Sequence, residues 1–178
     1  YLWDFRKKKF SSLVKKIFDL KTMPKIQKSG NFIGKVNNSF FKIIKNCKIY
    51  NGMHDTSAAF YFNKLFFNSK NSIFLSTGTT FVFGQFLNKL KKIKEKSNFY
   101  FLSPINCKGV VLSRRFNGGL IYKKLKNKKK IKPINQLLAI YTIKELSFFL
   151  KNTTNKHINL VIDGPFSKNN DFLFSLKK

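Results

Sequence analysis

The chain has 178 residues, of which 43% are hydrophobic and 22 are Phe, so it is long and apolar enough to bury a sizeable core. This composition excludes an intrinsically disordered chain. The net charge of +29 leaves two interpretations open. Cations interleaved with aromatic residues are typical of nucleic-acid binding, whereas lysines spread evenly along a chain that is also rich in Asn, Ile and Phe are typical of an AT-rich coding sequence.

The sequence contains no apolar run of about 18 residues that could span a bilayer, and no charged-then-apolar leader at its start. Its two cysteines, Cys47 and Cys107, have no CxxC neighbour and no His at ligand spacing. We therefore expect a cytoplasmic protein with no membrane partner and no metal site of its own. The two cysteines are expected to be buried thiols in a reducing compartment.

The N-terminal segments predict structure rather than chemistry. Apolar residues recur at helical spacing from Phe10 to Ile17, which predicts an amphipathic helix over residues 11–20. Residues 27–38, which include two glycines, indicate a loop or a short hairpin.

The first polar corner of the chain covers residues 51–60, between a strand-like run at residues 47–50 and a helix-like run. Gly52 permits a tight turn there. Three residues of the following run have the spacing of one helix face: Ala58, Ala59 and Phe62. Asp55, at the junction, is either a helix N-cap or an exposed carboxylate that takes a proton from a substrate hydroxyl.

The second polar corner is Thr77-Gly78-Thr79. Residues 73–83 predict a strand, this tight polar turn and a second strand. It offers backbone N–H groups and two hydroxyls around a glycine, as phosphate-binding turns do. A β-hairpin turn uses the same residue types, so both interpretations stay open.

The C-terminal half adds further strands and corners. Residues 98–102 and 108–112 predict strands, and residues 113–119 predict a polar glycine corner that is either a plain turn or part of a nucleotide site. Pro133 is suited to the first turn of a helix.

The third polar corner follows a buried-type strand at residues 157–162. The strand ends at Asp163-Gly164, and a polar turn comes next. Ligands of open α/β sheets collect at such strand ends.

These corners, in this order, resemble three motifs of the FGGY carbohydrate kinases, which are ATP-dependent sugar kinases of the actin and hexokinase superfamily. Residues 52–59 resemble the Gly-x-His-Asp-Thr-x-x-Ala segment of the rhamnulose- and fuculose-kinase-like branches. Residues 75–80 resemble the Ser-Ser-Gly-Thr-Trp turn that lies against the ATP phosphates, with Thr80 in place of the aromatic residue. Residues 163–170 resemble the adenosine motif, with Pro165 where many members have a second glycine.

The resemblance implies an α/β fold of the actin/hexokinase-like (ribonuclease H-like) ATPase type, with parts of two domains. Residues 1–70 would be the end of an N-terminal sugar-binding domain, and residues 71–178 part of a C-terminal ATP-binding domain, so that the chain is a fragment of a kinase. The implied reaction is ATP-dependent phosphorylation of a ketose-type sugar hydroxyl with Mg²⁺. The alternatives are a non-catalytic remnant of the kinase fold and a basic nucleic-acid-binding module.

The resemblance also implies roles for individual residues. Asp55 corresponds to the catalytic base, and His54 would contact the sugar. Five residues would bind ATP: Thr77, Gly78, Thr79, Gly164 and Asn169. We expect the second and third corners to lie at the ends of adjacent strands, and the partners to be a sugar and ATP. Nucleic acid would bind only non-specifically, and self-association into a homo-oligomer is left open.

Overall fold

The computed structural model describes residues 3–4, 7, 9–23, 25–37, 46–67, 71–89, 98–103, 109–127, 134–151 and 159–177. Backbone contacts divide the chain into two compact units, Tyr1–His54 and Asp55–Lys178. This division falls earlier in the chain than the boundary expected near residue 70. The helix that follows His54 therefore belongs to the second unit.

The described residues of the first unit form two antiparallel strand pairs and one short helix. Its elements are β1 (Trp3–Asp4), β2 (Lys9–Phe10), α1 (Ser12–Ile17), β3 (Phe32–Lys35) and β4 (Lys48–Tyr50). β1 pairs with β2, and β3 pairs with β4 across a bulge between Phe32 and Gly34. Residues 27–38 therefore do not form a short hairpin by themselves: they contribute β3, whose partner β4 lies outside them at Lys48–Tyr50.

Two expectations for this unit are corrected. The first helix ends at Ile17, and of its apolar residues Val14 is fully buried while Leu13 and Ile17 are more than half exposed. Cys47, which comes directly before β4, is exposed, not buried. Cys107 lies outside the described residues.

In the second unit, the described residues are built around a mixed sheet of five strands. They are β5 (Ser72–Ser76), β6 (Phe81–Leu87), β7 (Phe99–Leu102), β8 (Val110–Phe116) and β9 (Asn159–Asp163), in the order β7-β8-β6-β5-β9. Neighbours are antiparallel except β5 and β9, which are parallel. The carboxyl ends of β5 and β9 therefore lie at the same edge of the sheet.

Helices cover both faces of this sheet. They are α2 (Asp55–Phe66), α3 (Gly118–Asn127), α4 (Ile134–Leu150) and α5 (Asn170–Lys177), with a 3-10 helix at Pro165–Lys168. Alternate residues of β5 separate the faces: Ile73 and Leu75 pack in the cluster that includes residues of α4 and α5, and Phe74 packs with Phe60 of α2. This is the layered α/β architecture expected from the sequence. Among the described residues, no helix is both long enough and apolar enough to cross a membrane.

The buried face of α2 differs from the one predicted. Phe62 is 60% exposed, and Phe60 and Asn63 are buried instead. The physical reason lies in β6, where a Cβ on Gly84 would come within 2.3 Å of the Phe60 ring. The helix therefore turns its Phe60 side to the space that this glycine leaves.

The predicted corner at residues 113–119 is also shorter in the structure. β8 runs on to Phe116, and the corner is confined to Asn117 and the two glycines that begin α3. The polar residues are held in the strand because β8 pairs with β6 on one side and β7 on the other.

Candidate functional site

The second and third corners of the sequence meet at one edge of the main sheet. Ser76 at the end of β5 is paired with Asp163 at the end of β9. One residue further, the Thr77 backbone N–H donates to the Asp163 carbonyl oxygen at 2.8 Å, and the Thr77 hydroxyl donates to the same oxygen at 2.6 Å. The expectation that these two turns end adjacent strands is confirmed.

Gly164 brings the two turns into direct backbone contact. Its φ is +88°, and a Cβ at this position would lie 2.1 Å from the Thr77 carbonyl oxygen. Only a residue without a Cβ adopts this conformation at this distance without strain. The Phe166 N–H then donates to the Thr77 hydroxyl oxygen at 3.1 Å, which ties the start of the 3-10 helix to the same threonine.

The start of α3 forms a third side of this region. The Gly119 N–H donates to the Thr79 carbonyl oxygen at 3.1 Å. A Cβ on Gly119 would come within 2.4 Å of the Gly78 carbonyl oxygen, and one on Gly118 within 2.4 Å of the Phe81 ring. The sequence left this corner open between a plain turn and a nucleotide site. The structure places it against the Thr77–Thr79 turn, and the double glycine was the signal for such close packing.

The Thr77–Thr79 turn presents hydrogen-bond donors that are not used within the described part of the chain. Thr77 is 4% exposed and fully engaged, whereas Gly78 is half-buried and Thr79 is exposed. The backbone N–H groups of Gly78 and Thr79 meet no acceptor among the described residues. Consecutive backbone donors of this kind form an anion-binding concavity.

Asp163 connects the sheet edge with α2. Its Oδ1 accepts from the Gly164 N–H at 2.7 Å, and its Oδ2 accepts from the Asn63 side-chain amide at 3.4 Å. Asn63 is 8% exposed and also donates to the Ala59 carbonyl oxygen at 2.9 Å. The sequence analysis missed Asn63. Its signal was a polar residue three positions after Phe60, on the buried side of the helix.

Asp55 is the first residue of α2, and its side chain is exposed. Its Oδ1 accepts from the Thr56 N–H at 2.6 Å and from the Thr56 hydroxyl at 3.3 Å. An N-cap side chain accepts from an N–H two or three residues ahead, so the bond to Thr56 differs from the usual cap. A carboxylate at this position is stabilised by the partial positive charge of the helix N-terminus. His54 precedes it and is exposed, as the last residue of the first unit.

Asn169 already has structural partners. Its Oδ1 accepts from the Phe172 N–H at 2.9 Å, which caps α5. Its Nδ2 donates to Asn135 Oδ1 at 3.3 Å, which joins α5 to the start of α4. The structure therefore brings Asn169 to the end of the Gly164 turn, with both polar atoms of its side chain in use.

Metal-binding side chains are not grouped in the part of the chain that the structure describes. No three His, Cys, Asp or Glu residues lie close enough together there to hold an ion.

Comparison with known proteins gives the fold. Plasmodium falciparum glycerol kinase, solved with ADP, superposes with a TM-score of 0.75 at 14% identity, over 99% of this chain and 47% of that one. A carbohydrate kinase from Novosphingobium aromaticivorans superposes with a TM-score of 0.70 at 15% identity, over 98% of this chain and 50% of that one. A xylulose kinase from Lactobacillus acidophilus superposes with a TM-score of 0.58 at 16% identity, over 79% of this chain and 30% of that one.

No family model and no curated protein matches the sequence. The chain spans about half the length of the first two kinases. The structural likeness establishes the actin/hexokinase-like α/β fold expected from the sequence.

Proposed function

We propose that this chain is the nucleotide-binding part of an ATP-dependent carbohydrate kinase of the FGGY type, acting in the cytoplasm. Such an enzyme transfers the γ-phosphoryl group of ATP to a sugar hydroxyl. The observation that carries the proposal is the direct contact between the Thr77–Thr79 turn and the Asp163–Gly164 turn at the carboxyl ends of adjacent parallel strands. Ligands of α/β sheets bind at this edge. A glycerol kinase solved with ADP, a carbohydrate kinase and a xylulose kinase share the fold.

The ATP phosphates would lie against the Thr77–Thr79 turn. The N–H groups of Gly78 and Thr79 supply donors there, and the N-terminal end of α3 beside them adds a partial positive charge. Phosphoryl transfer is catalysed mainly by positioning and by stabilisation of charge on the phosphoryl oxygens. Donors fixed in a turn that is packed on two other elements meet both requirements.

Mg²⁺ fits this site as an ion carried by the nucleotide. Both carboxylate oxygens of Asp163 accept hydrogen bonds from the protein, and the described residues hold no cluster of metal ligands. Mg²⁺ in such enzymes is bound by substrate phosphates with one or two carboxylates and several waters. When bound, it neutralises charge on the phosphates.

The adenosine would lie beside Gly164 and Asn169. Gly164 lets a ligand approach the backbone closely because it has no Cβ. Asn169 follows at the start of α5, where its side chain is fixed by Phe172 and Asn135. In this proposal, residues 71–178 form most of the ATP side, and residues 1–70 contribute to the sugar side.

Asp55 would act as the general base. It would take the proton from the sugar hydroxyl as the bond from oxygen to phosphorus forms, an effect worth about 10²- to 10⁴-fold in rate. Its exposure at the start of a helix leaves it accessible to a substrate. His54, next to it in the chain, would contact the sugar. The His-Asp pair is the feature that favours a ketose-type substrate of the rhamnulose or fuculose class.

The variant Gly78→Ala tests the phosphate site with little disturbance of the fold. A Cβ on Gly78 would meet no atom closer than the Thr80 carbonyl oxygen at 3.9 Å, so the protein should fold as the parent does. The methyl group would stand where the phosphates bind. We expect the parent to bind ADP and ATP with Kd below about 1 mM, and Gly78→Ala to bind them about tenfold more weakly by calorimetry.

The matched control is Gly34→Ala, since a Cβ there also meets nothing within 4 Å and β3 belongs to the first unit. It should bind nucleotide as the parent does. Absence of ADP binding by the parent at millimolar concentration would refute the proposed function.

A further inference from the structure

We infer that Thr77 is a positioning residue of this site. Its hydroxyl holds the Thr77–Thr79 turn, here called the phosphate turn, against the Asp163–Gly164 turn, here called the Asp163 turn, and does not itself contact the nucleotide. The inference rests on the proposed function and refines it. The resemblance to the kinase motif had assigned Thr77 to ATP with Gly78 and Thr79, and the three residues are not equivalent in the structure.

The hydrogen bonds of Thr77 leave no donor for a phosphate. Its hydroxyl hydrogen goes to the Asp163 carbonyl oxygen at 2.6 Å, and its backbone N–H goes to the same oxygen at 2.8 Å. Its hydroxyl oxygen accepts from the Phe166 N–H at 3.1 Å. At 4% exposure, the side chain is also shielded from a ligand in solution.

Of the two turns that Thr77 joins, the Asp163 turn is held more firmly by its own hydrogen bonds. The Asp163 turn closes on itself, because the Gly164 N–H bonds to Asp163 Oδ1 and the Gly164 carbonyl oxygen accepts from both the N–H and the hydroxyl of Ser167. The phosphate turn has two further backbone ties to described residues, Thr77 N–H to Asp163 and Gly119 N–H to Thr79. Loss of the Thr77 hydroxyl should therefore displace the Gly78 and Thr79 donors more than the Asp163 turn.

This asymmetry predicts a split between two ligands. Binding of ADP needs both turns, whereas binding of adenosine needs only the Asp163 turn. A hydroxyl that merely stabilises the fold would change neither affinity once the protein is folded. A hydroxyl that contacts phosphate would weaken ADP binding without changing the unliganded protein.

The test compares the 178-residue chain with Thr77→Ala and Thr77→Ser. Ala is preferred to Val because a methyl group in the place of the hydroxyl would press on the Asp163 carbonyl oxygen. We expect Thr77→Ala to weaken ADP binding about tenfold and adenosine binding less than about twofold by calorimetry. Thr77→Ser keeps the hydroxyl and should restore the ADP affinity. The control Thr22→Val removes a hydroxyl that also donates to a backbone carbonyl oxygen, that of Asp19 at 2.8 Å in the first unit, and it should bind ADP as the parent does.

Hydrogen exchange of the unliganded protein provides the second readout. The Phe166 amide should exchange at least about tenfold faster in Thr77→Ala than in the parent, because its acceptor is gone. Thr77→Ser should not show this change. If Thr77→Ala does not fold, Thr77→Ser still tests the inference. A Thr77→Ser chain whose Phe166 amide exchanges fast, or that loses ADP affinity, contradicts it.

An unchanged ratio of ADP to adenosine affinity in Thr77→Ala would overturn the inference while leaving the proposed function intact. Weaker ADP binding with unchanged exchange at Phe166 would also overturn it, in favour of direct phosphate contact. A parent chain that binds no nucleotide would instead refute the proposed function, and this inference with it.

Discussion

At the scale of single residues, Asp55 is the side chain on which the proposed chemistry depends. Asn has the same shape and also caps helices, but it cannot accept the proton of a sugar hydroxyl. In an assay of the proposed sugar phosphorylation, Asp55→Asn should lower kcat by about 10²- to 10⁴-fold and leave ATP binding and the melting temperature nearly unchanged. Sugar-dependent consumption of ATP is the measurement.

Asp19→Asn is the matched control for this change. Asp19 also accepts a backbone N–H through its side chain, from Lys21 at 2.9 Å, but it lies far along the chain from the proposed site. The Asp19→Asn variant should consume ATP in the presence of sugar at the same rate as the parent. If Asp55→Asn phosphorylates sugar at the parent's rate, Asp55 serves the helix only and the proposed mechanism is wrong.

A second residue-scale prediction concerns the buried Arg114. Its guanidinium lies 4.3 Å from the centre of the Phe148 ring and 5.4 Å from that of Phe99, and it bonds to Glu145 at 2.7 and 2.8 Å. Arg114 is 9% exposed. Glu145→Ala would leave this buried cation with aromatic faces as its main partners, and should destabilise the protein by about 2 kcal/mol.

Chemical denaturation measures this loss. Replacing both charges, in Arg114→Met with Glu145→Leu, should recover most of the stability, because the desolvated charge is then gone. Lys144→Ala, an exposed change on the same helix, should stay within about 0.5 kcal/mol of the parent. A double variant as unstable as Glu145→Ala would show that packing around the pair, and not the charge, sets the cost.

At the scale of elements, the sequence predicted what depends on neighbours along the chain. The apolar runs of β5 and β6 and the polar residues of the turn between them are local signals, and the structure has the predicted strand, turn and strand. The turns at Thr77 and Gly164 were found from their residue types and from their order. Their adjacency could be expected because strand ends gather at one edge of an α/β sheet.

Errors arose where a distant element decides the outcome. The buried side of α2 was misassigned because Gly84, which accommodates Phe60, lies in another element. The predicted strand ended four residues before β8 does because the pairing with β6 and β7, which holds these polar residues in the strand, comes from other parts of the chain. Asn63 went unnoticed for the same reason, since its partner Asp163 is 100 residues away in the chain. Contacts of this kind leave no periodic pattern in a single sequence.

At the scale of the whole molecule, the net charge of +29 predicts how nucleic acid would bind. Lysines are spread over the described helices and loops, and the sequence contains no base-reading motif. Binding should therefore be electrostatic and independent of sequence, with a loss of about 10³-fold or more in affinity between about 50 and 200 mM salt. Fluorescence anisotropy with two duplexes of unrelated sequence is the measurement.

The two duplexes control for each other in this experiment, because a sequence-blind surface binds both alike at every salt concentration. Tight binding of one duplex that persists at 200 mM salt or above would contradict this prediction. It would also show that the lysines form a specific surface and do not merely reflect base composition.

The parallel pairing of β5 with β9 has a consequence for the biosynthesis of the protein. The residues that close the site, Thr77 and Asp163, are 86 positions apart, so the ribosome completes the β5–β6 hairpin well before it makes β9. Until then the edge of β5 that faces away from β6 is unpaired, and Ile73, Phe74 and Leu75 in the middle of the strand make this segment prone to aggregation. Pairings between distant segments form slowly. The growing chain therefore has its greatest need of a chaperone between synthesis of β5 and arrival of β9, and the proposed nucleotide site cannot form before that moment.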